Sequence, residues 1–202
     1  MKVYVDFDDV IAETARALAE VLWEATGRRV AYEEIHAFDL RVSFGLGEAE
    51  YVAFMEAAHR PRVLERIPPT PGACETLRRW REEGRVSPVV VTGRPASCHR
   101  ESVAWLGRYG LGDIEIVHVD KYGRHGGECT DGVKTYAAEE LAGMGFGVAI
   151  DDAPPALALL ERWNVAPAIV FDRPWNRRYA SPALCGRARD WNGLDSIIRS
   201  MT

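Results

Sequence analysis

Carboxylates are concentrated directly after two short apolar runs of the chain. Asp6, Asp8 and Asp9 follow the run VYV, and Asp151 and Asp152 follow VAI. Carboxylates that crowd together repel and raise one another's pKa, and a divalent cation relieves that repulsion. Hard oxygen ligands favour Mg²⁺, which usually binds one or two carboxylates together with a substrate phosphate. Either group alone is typical of solvated loop acids, but the two together favour a Mg²⁺ site for a small phosphorylated substrate.

A hydroxyl and a guanidinium follow a third apolar run. Thr92, Gly93 and Arg94 come directly after VVV. A guanidinium matches the geometry of a phosphate. We therefore predict that Gly93 and Arg94 contact the substrate.

Lysine is rare in the chain and occurs only at Lys2, Lys121 and Lys134. Lys2 begins the first apolar run, at the end away from the carboxylates. Lys121 opens a glycine-rich segment, 120–132, and Lys134 begins a predicted helix. Either of these two could reach the carboxylates, so the pattern leaves open which lysine belongs to the site.

Alternating apolar runs and helical patterns position these residues. Strands are predicted at 2–7, 88–92, 114–119, 147–151 and 167–171, and helices at 72–83, 97–109, 133–143 and 155–163. Short apolar strands that alternate with helices are typical of an α/β doubly wound parallel sheet. Ligands bind at the carboxyl edge of such a sheet. If the first strand lies beside both the second and the fourth, the carboxylates and Thr92 converge there.

A long insertion follows the first predicted strand. Residues 12–26 and 48–59 both have helical patterns. We therefore predict a catalytic core formed by 1–11 and 71–202, with a small helical cap formed by 12–70.

The irregular part of this predicted cap, 35–47, carries two aromatic rings and an arginine. Phe38 and Phe44 are candidates for a surface on which a base stacks, and Arg41 for a contact with a phosphate or a base edge. The alternative is that the rings fill the interior of the cap and that Arg41 is solvated.

The composition excludes several classes of protein. The chain has 202 residues, 47% of them hydrophobic, with a net charge of −5. This balance is ordinary for a soluble globular protein, and it does not favour the broad basic face that binds duplex nucleic acid. No run approaches the roughly 18 apolar residues of a membrane span. Charges among the first residues do not fit a secretory signal, so a cytoplasmic location is predicted.

In this order, the motifs resemble those of the haloacid dehalogenase-like (HAD) hydrolases. VYVDFDDVI resembles the first motif, VVVTGR the second and AIDD the fourth. The resemblance implies a Rossmann-like core with Mg²⁺ as cofactor. The third motif of the family is a lysine before the strand of the fourth motif, which favours Lys134 and leaves Lys121 as the second choice.

The resemblance also implies catalytic roles. Asp6 would be the nucleophile that forms an aspartyl-phosphate. Asp8 would protonate the leaving oxygen and then activate water. Thr92 would donate a hydrogen bond to the phosphate, and Lys134 would neutralise its charge.

The metal ligands follow from the same resemblance. Asp6, the backbone carbonyl of Asp8 and one acid of the fourth motif would hold Mg²⁺. Asp152 is the favoured ligand and Asp151 the second choice.

A late segment, FDRPWN at 171–176, together with the cap position, resembles the small 5′(3′)-deoxyribonucleotidase-like branch of the family. This implies a phosphomonoesterase that acts on a nucleoside monophosphate. The alternatives are a phosphatase of another small metabolite or of a polynucleotide 3′-end, and a phosphate-binding module without catalysis. The sequence predicts no oligomeric state.

Overall fold

The computed structural model describes residues 1–123 and 129–202. Within these residues, eight strands form one sheet in the order β4-β5-β3-β2-β1-β6-β7-β8. They are β1 (Lys2–Asp6), β2 (Ser87–Thr92), β3 (Ile116–Val119), β4 (Cys129–Thr130), β5 (Val133–Tyr136), β6 (Val148–Asp151), β7 (Ala168–Phe171) and β8 (Leu184–Ala188). Neighbouring strands are parallel except for β4 and β5, which are antiparallel. The predicted α/β doubly wound sheet is confirmed, with one antiparallel edge.

Helices cover both faces of this sheet and also fill the insertion after β1. They are α1 (Thr14–Thr26), α2 (Leu40–Phe44), α3 (Glu48–Ala58), α4 (Pro61–Leu64), α5 (Ala73–Glu83), α6 (His99–Arg108), α7 (Pro154–Arg162) and α8 (Trp191–Met201). In the part of the chain that the structure describes, no helix has the length and apolar character that crossing a bilayer requires.

The sheet is buried on both faces because side chains alternate along each strand. Val3 and Val5 of β1 pack into a core with α5, α6 and α8. Tyr4 points to the opposite face and packs into a second core with α7 and the short 3₁₀ helix Ala138–Met144. Burial on both faces explains why these strands read as continuous apolar runs.

The central position of β1 brings the functional strand ends together. β1 pairs in parallel with β2 on one side and with β6 on the other, with Asp6 opposite Val91 and Val5 opposite Ile150. The ends of the three strands therefore lie at the same level of the carboxyl edge, as the predicted strand order required.

The insertion forms a helical segment with its own apolar core. Leu22 and Phe44 are buried in it together with other side chains of α1 to α3. The two connections to the sheet run side by side, since Thr70 N–H donates to the Ile11 carbonyl at 2.8 Å. Helices were predicted close to the observed α1 and α3, and the cap boundaries at residues 12 and 70 stay a prediction.

Several elements differ from the sequence prediction, and α2, α4, α8 and β4 are among those that were not predicted. The helix predicted at 133–143 is wrong at its start, because β5 runs along β3 there, with Thr135 opposite His118. Three of its first four residues, VKTY, are β-branched or aromatic, the types that favour a strand. β8 was not predicted, since LCGRA carries little of the apolar pattern that marks the central strands.

Candidate active site

Three buried carboxylates form the centre of the site. Asp6 ends β1, Asp151 ends β6, and Asp152 follows it. One carboxylate oxygen from each of the three lies within 4.8 Å of the others. Burial raises the pKa of Asp6 and of Asp152 well above the ordinary value, and the neighbouring carboxylates raise both further. Hard oxygen donors at this spacing fit a divalent cation such as Mg²⁺.

Lys121 supplies the ammonium of the site. Its Nζ donates to Asp6 Oδ1 at 2.5 Å and to Asp151 Oδ2 at 2.9 Å. Burial by itself would lower the pKa of this lysine, but the two carboxylates raise it above the ordinary value, so Lys121 stays charged. The ammonium therefore contacts the side chain that the motif assigns as nucleophile.

Lys134 lies elsewhere, and its predicted place in the cleft is wrong. It is on β5, its side chain is 50% exposed, and its Nζ pairs with Glu140 at 2.6 Å. The prediction failed because it assumed a helix that begins at this lysine. Lys121 instead follows β3 closely, its N–H donates to the Val119 carbonyl at 2.8 Å, and its ammonium lies in the cleft. Residues 124–128 of the glycine-rich segment lie outside the described part.

The two acids after β6 have different surroundings. Asp151 accepts hydrogen bonds on both oxygens, from Tyr4 Oη at 2.8 Å and Lys121 on Oδ2 and from Ala153 N–H at 2.9 Å on Oδ1. Asp152 accepts on Oδ2 from Trp175 Nε1 at 2.8 Å, and no described residue donates to its Oδ1. Asp152 therefore has a free oxygen for a metal, whereas Asp151 holds the lysine.

Asp8 is bound tightly to Arg94. Arg94 donates from Nη2 to Asp8 Oδ1 at 2.6 Å and from Nε to both carboxylate oxygens at 3.1 Å. Thr14 Oγ1, on α1, donates to the same Oδ1 at 2.6 Å. Burial would raise the pKa of Asp8, but Arg94 and these hydrogen bonds lower it below the ordinary value. Asp8 is thus ionised in this conformation.

The loop after β2 is fixed from two sides. Arg94 N–H donates to Thr92 Oγ1 at 3.1 Å, which leaves the Thr92 proton available for a ligand oxygen. The His118 ring donates from Nδ1 to the Arg94 carbonyl at 2.9 Å, and its Nε2 lies 3.0 Å from His99 Nδ1. No role in the site was predicted for His118, because an isolated histidine in an apolar run carries no signal of its partner.

Position 93 requires glycine because the Tyr122 ring lies close to its backbone. A Cβ at this position would lie 2.8 Å from Tyr122 Cε2, a distance at which the ring must shift. The absence of a side chain at Gly93 therefore gives Tyr122 its place beside Lys121, and the substrate contact of Gly93 stays a prediction.

Asp9 is a further buried acid. Its φ is 58°, a left-handed conformation in which aspartate is tolerated better than most residues. Its carboxylate accepts from Ala15 N–H at 2.9 and 3.1 Å, near the start of α1. Burial raises the pKa of Asp9 to about 7. Through these hydrogen bonds, Asp9 connects the carboxyl edge of the sheet to the helical segment.

Acids outnumber cations around this cluster within the described residues. Asp6, Asp8, Asp9, Asp151 and Asp152 lie near Lys121, Arg94 and Arg173. The excess negative charge is a second reason to expect a bound cation.

A cavity of about 380 Å³ opens between the carboxylates and the helical segment. Its wall on the side of the helical segment is mostly apolar and includes Leu18, Leu40, Met55 and Leu64. Aromatic rings lie around it as well: Phe38, Tyr51, Tyr122 and Trp175. The centroids of Phe38 and Tyr122 are 5.5 Å apart, so a ring of the helical segment meets a ring of the core at this cavity.

Two predicted substrate contacts lie away from the cavity. Phe44 is buried in the core of the helical segment, with its ring centroid 5.6 Å from that of Phe54. Arg41 is partly exposed and pairs with Asp39 at 2.6 Å and with Glu48 at 2.8 Å. Both assignments are corrections, and in each case the alternative given with the prediction describes the observed surroundings better: the ring fills a core, and the arginine lies at the surface.

Comparisons with known proteins identify the fold. No protein-family model matches the chain, and no curated protein matches it either. Solved structures do match over nearly its whole length. A HAD-like hydrolase from Streptococcus pneumoniae covers 100% of this chain and 98% of its own, with 10% identity and a TM-score of 0.64.

Two further structures were solved with ligands. A HAD family hydrolase from Deinococcus radiodurans, with bound phosphate and sodium, covers 99% of this chain and 93% of its own, with 15% identity and a TM-score of 0.60. A HAD hydrolase from Bacillus subtilis, bound to magnesium, covers 98% of both chains, with 14% identity and a TM-score of 0.56. The chain therefore has the fold of the haloacid dehalogenase-like hydrolases.

Proposed function

We propose that the protein is a Mg²⁺-dependent phosphomonoesterase that acts through an aspartyl-phosphate on Asp6. The observation that carries the proposal is the contact of Asp6 with Lys121 at 2.5 Å, within the carboxylate cluster that includes Asp152. The similarity to a hydrolase with bound phosphate and to one with bound magnesium supports it.

The residues present fit a magnesium ion. Asp6 and Asp152 are buried residues, and each offers one carboxylate oxygen without a described hydrogen-bond donor. The backbone carbonyl of Asp8 is the third proposed ligand. Bound Mg²⁺ would neutralise negative charge on the phosphoryl oxygens.

The side chains divide the chemistry between them. A carboxylate oxygen of Asp6 attacks phosphorus, and the bond from phosphorus to the leaving oxygen breaks. Water then attacks the phosphorus of the aspartyl-phosphate, which releases inorganic phosphate and restores the carboxylate. Lys121 and Thr92 donate to the oxygens on which negative charge develops.

Asp8 moves the protons. In the second step it accepts the proton of the attacking water, for which it must be ionised, as Arg94 keeps it here. In the first step it donates a proton to the leaving oxygen, which requires that the phosphoryl group draw Arg94 away from it. We propose that Arg94 divides its hydrogen bonds between Asp8 and the substrate phosphate.

The preferred substrate in this proposal is a nucleoside monophosphate. The cavity is large enough for a small organic phosphate, and Phe38 and Tyr122 offer it aromatic surface. The apolar wall of the helical segment favours a flat, weakly polar leaving group over a polyhydroxylated one. The proposed cap, residues 12–70, supplies this wall.

Phosphate release tests both parts of the proposal. With Mg²⁺, the protein should hydrolyse an aryl phosphate, and Asp6→Asn should lower the rate by roughly 10³-fold or more. Asp113→Asn, at an exposed acid, is the matched control and should change nothing. Activity retained in Asp6→Asn would contradict the nucleophile.

A substrate panel tests the leaving group. Nucleoside monophosphates should be hydrolysed faster than sugar phosphates or oligonucleotides with a 3′-phosphate. Faster turnover of either of the other two would overturn the preferred substrate. Binding of phosphate without any turnover would favour the non-catalytic alternative.

A further inference from the structure

The segment after β7, residues 171–176, contacts both the carboxylate cluster and the helical segment. We propose that Trp175 is a positioning residue for Mg²⁺ binding: its indole N–H holds Asp152 Oδ2, so that Oδ1 is presented to the metal. The inference rests on the proposed function, because it takes Asp152 as a metal ligand.

Two neighbours in this segment hold Asp152. Trp175 Nε1 donates to Asp152 Oδ2 at 2.8 Å, and Asn176 Nδ2 donates to the Asp152 backbone carbonyl at 2.7 Å. Asn176 Nδ2 also donates to the Phe171 carbonyl at 2.8 Å, and its side chain is fully buried. The backbone and the carboxylate of Asp152 are therefore fixed by adjacent residues.

The orientation of the carboxylate depends on the indole. A carboxylate rotates readily about its last torsion, and the Trp175 N–H is the described donor on this side chain. Donors behind a metal ligand typically change metal affinity by 10- to 100-fold when they are removed. The indole hydrogen bond is suited to this task because it occupies Oδ2 and leaves Oδ1 without a described donor.

The same segment binds the helical segment and its connections. Arg173 Nε donates to the Asp9 carbonyl at 2.6 Å, and its Nη2 lies 3.5 Å from Thr70 Oγ1. The Tyr32 ring packs edge-on against Trp175, with centroids 6.0 Å apart. The indole is thus held in place from the side of the insertion as well as from the sheet.

Mg²⁺ titration of the variant Trp175→Phe tests the inference. The variant keeps an aromatic ring but lacks the N–H donor, so calorimetry should show Mg²⁺ binding weakened by about 10-fold or more. In the phosphatase assay the Mg²⁺ concentration for half-maximal rate should rise by the same factor. Trp163→Phe, at an exposed tryptophan of the α7 end, is the matched control and should bind Mg²⁺ like the wild type.

The indole signals of the wild type provide a test that does not depend on the folding of a variant. Trp175 is the tryptophan that lines the cavity, so among the six tryptophan side-chain N–H resonances, one should shift strongly during Mg²⁺ titration. Unchanged Mg²⁺ affinity in folded Trp175→Phe, or a titration that moves no indole signal, would overturn the inference and leave the proposed function intact. A wild type that binds Mg²⁺ with this signature but hydrolyses no phosphate ester would overturn the proposed function instead. A wild type that binds no Mg²⁺ would overturn both.

Discussion

Replacement of Lys121 by methionine is the sharpest test of the site, because it separates the two candidate lysines. Methionine keeps much of the volume of the side chain but has no charge. In wild type the ammonium lies 2.5 Å from Asp6 and 2.9 Å from Asp151, and the lysine side chain is 1% exposed. The substitution therefore leaves two buried carboxylates without their shared counter-charge.

The expected cost follows from that geometry. Removal of one partner from a buried ion pair typically destabilises a protein by about 3–5 kcal/mol. Asp151 keeps its hydrogen bonds from Tyr4 and from Ala153 N–H, so we expect the lower end, about 3 kcal/mol. Since small domains are stable by about 5–15 kcal/mol, the variant should still fold. Loss of the donor should also slow phosphate release by roughly 10²–10³-fold.

The stability difference should depend on pH with a definite sign. Burial raises the pKa of Asp6 in the folded state above its unfolded value, and without Lys121 nothing opposes that shift. A group whose folded pKa is raised destabilises the fold as pH rises above its unfolded pKa. The free energy of unfolding of Lys121→Met should therefore approach that of wild type as the pH falls towards about 4, where Asp6 becomes protonated in the unfolded state as well as in the folded one.

Urea unfolding and phosphate release measure both effects, and Lys134→Met is the matched control. Lys134 lies at the surface with Glu140 as its partner, so its replacement should change neither the unfolding midpoint nor the rate. Wild-type activity in Lys121→Met, or lost activity in Lys134→Met, would refute the assignment of the lysine.

Three further predictions concern the metal, the loop after β2 and the cavity. Asp152→Asn should weaken Mg²⁺ binding by 10-fold or more. In wild type the Mg²⁺ affinity should rise with pH, because protons compete for carboxylates whose pKa is raised. Calorimetry at several pH values checks this, and a pH-independent affinity would contradict it. Gly93→Ala would place a Cβ 2.8 Å from Tyr122 Cε2, so it should displace that ring and reduce kcat/KM by roughly 10-fold or more; wild-type kinetics would be the contrary result. Phe38→Ala should raise KM for an aromatic phosphate and leave kcat nearly unchanged, since the ring lines the cavity and does not contact Asp6; a loss confined to kcat would argue against this role.

The fold could be predicted in outline because its central strands carry a local signal. β1, β2 and β6 are buried on both faces, and each appears in the sequence as a short apolar run that ends in a polar residue. The strands near the margins of the sheet carry a weaker local signal. β5 and β8 lie towards the margins of the sheet, where partly exposed side chains blur the pattern, so one was predicted as a helix and the other was not predicted.

Local sequence patterns could not predict which residues of the site pair with each other. Asp8 meets Arg94 across 86 positions, and Trp175 meets Asp152 across 23. Phe38 and Phe44 belong to the same irregular stretch, yet one lines the cavity and the other is buried in the core of the helical segment. Phe38 precedes α2 and Phe44 ends it, so the packing of the helix and of the loop before it decides which ring faces the cavity, and nothing in the spacing of the two residues encodes it.

The sequence by itself determined which chemical groups reach the carboxyl edge. Asp6, Thr92 and Asp151 are the last residues of three parallel strands, and the carboxyl ends of parallel strands lie at the same edge of the sheet. Only the tertiary structure decided that Lys121 pairs with Asp6 and Asp151 and that no described residue donates to Asp152 Oδ1. Both outcomes depend on where loops place side chains from distant parts of the chain, and the path of a loop follows from packing over the whole fold more than from its own residues.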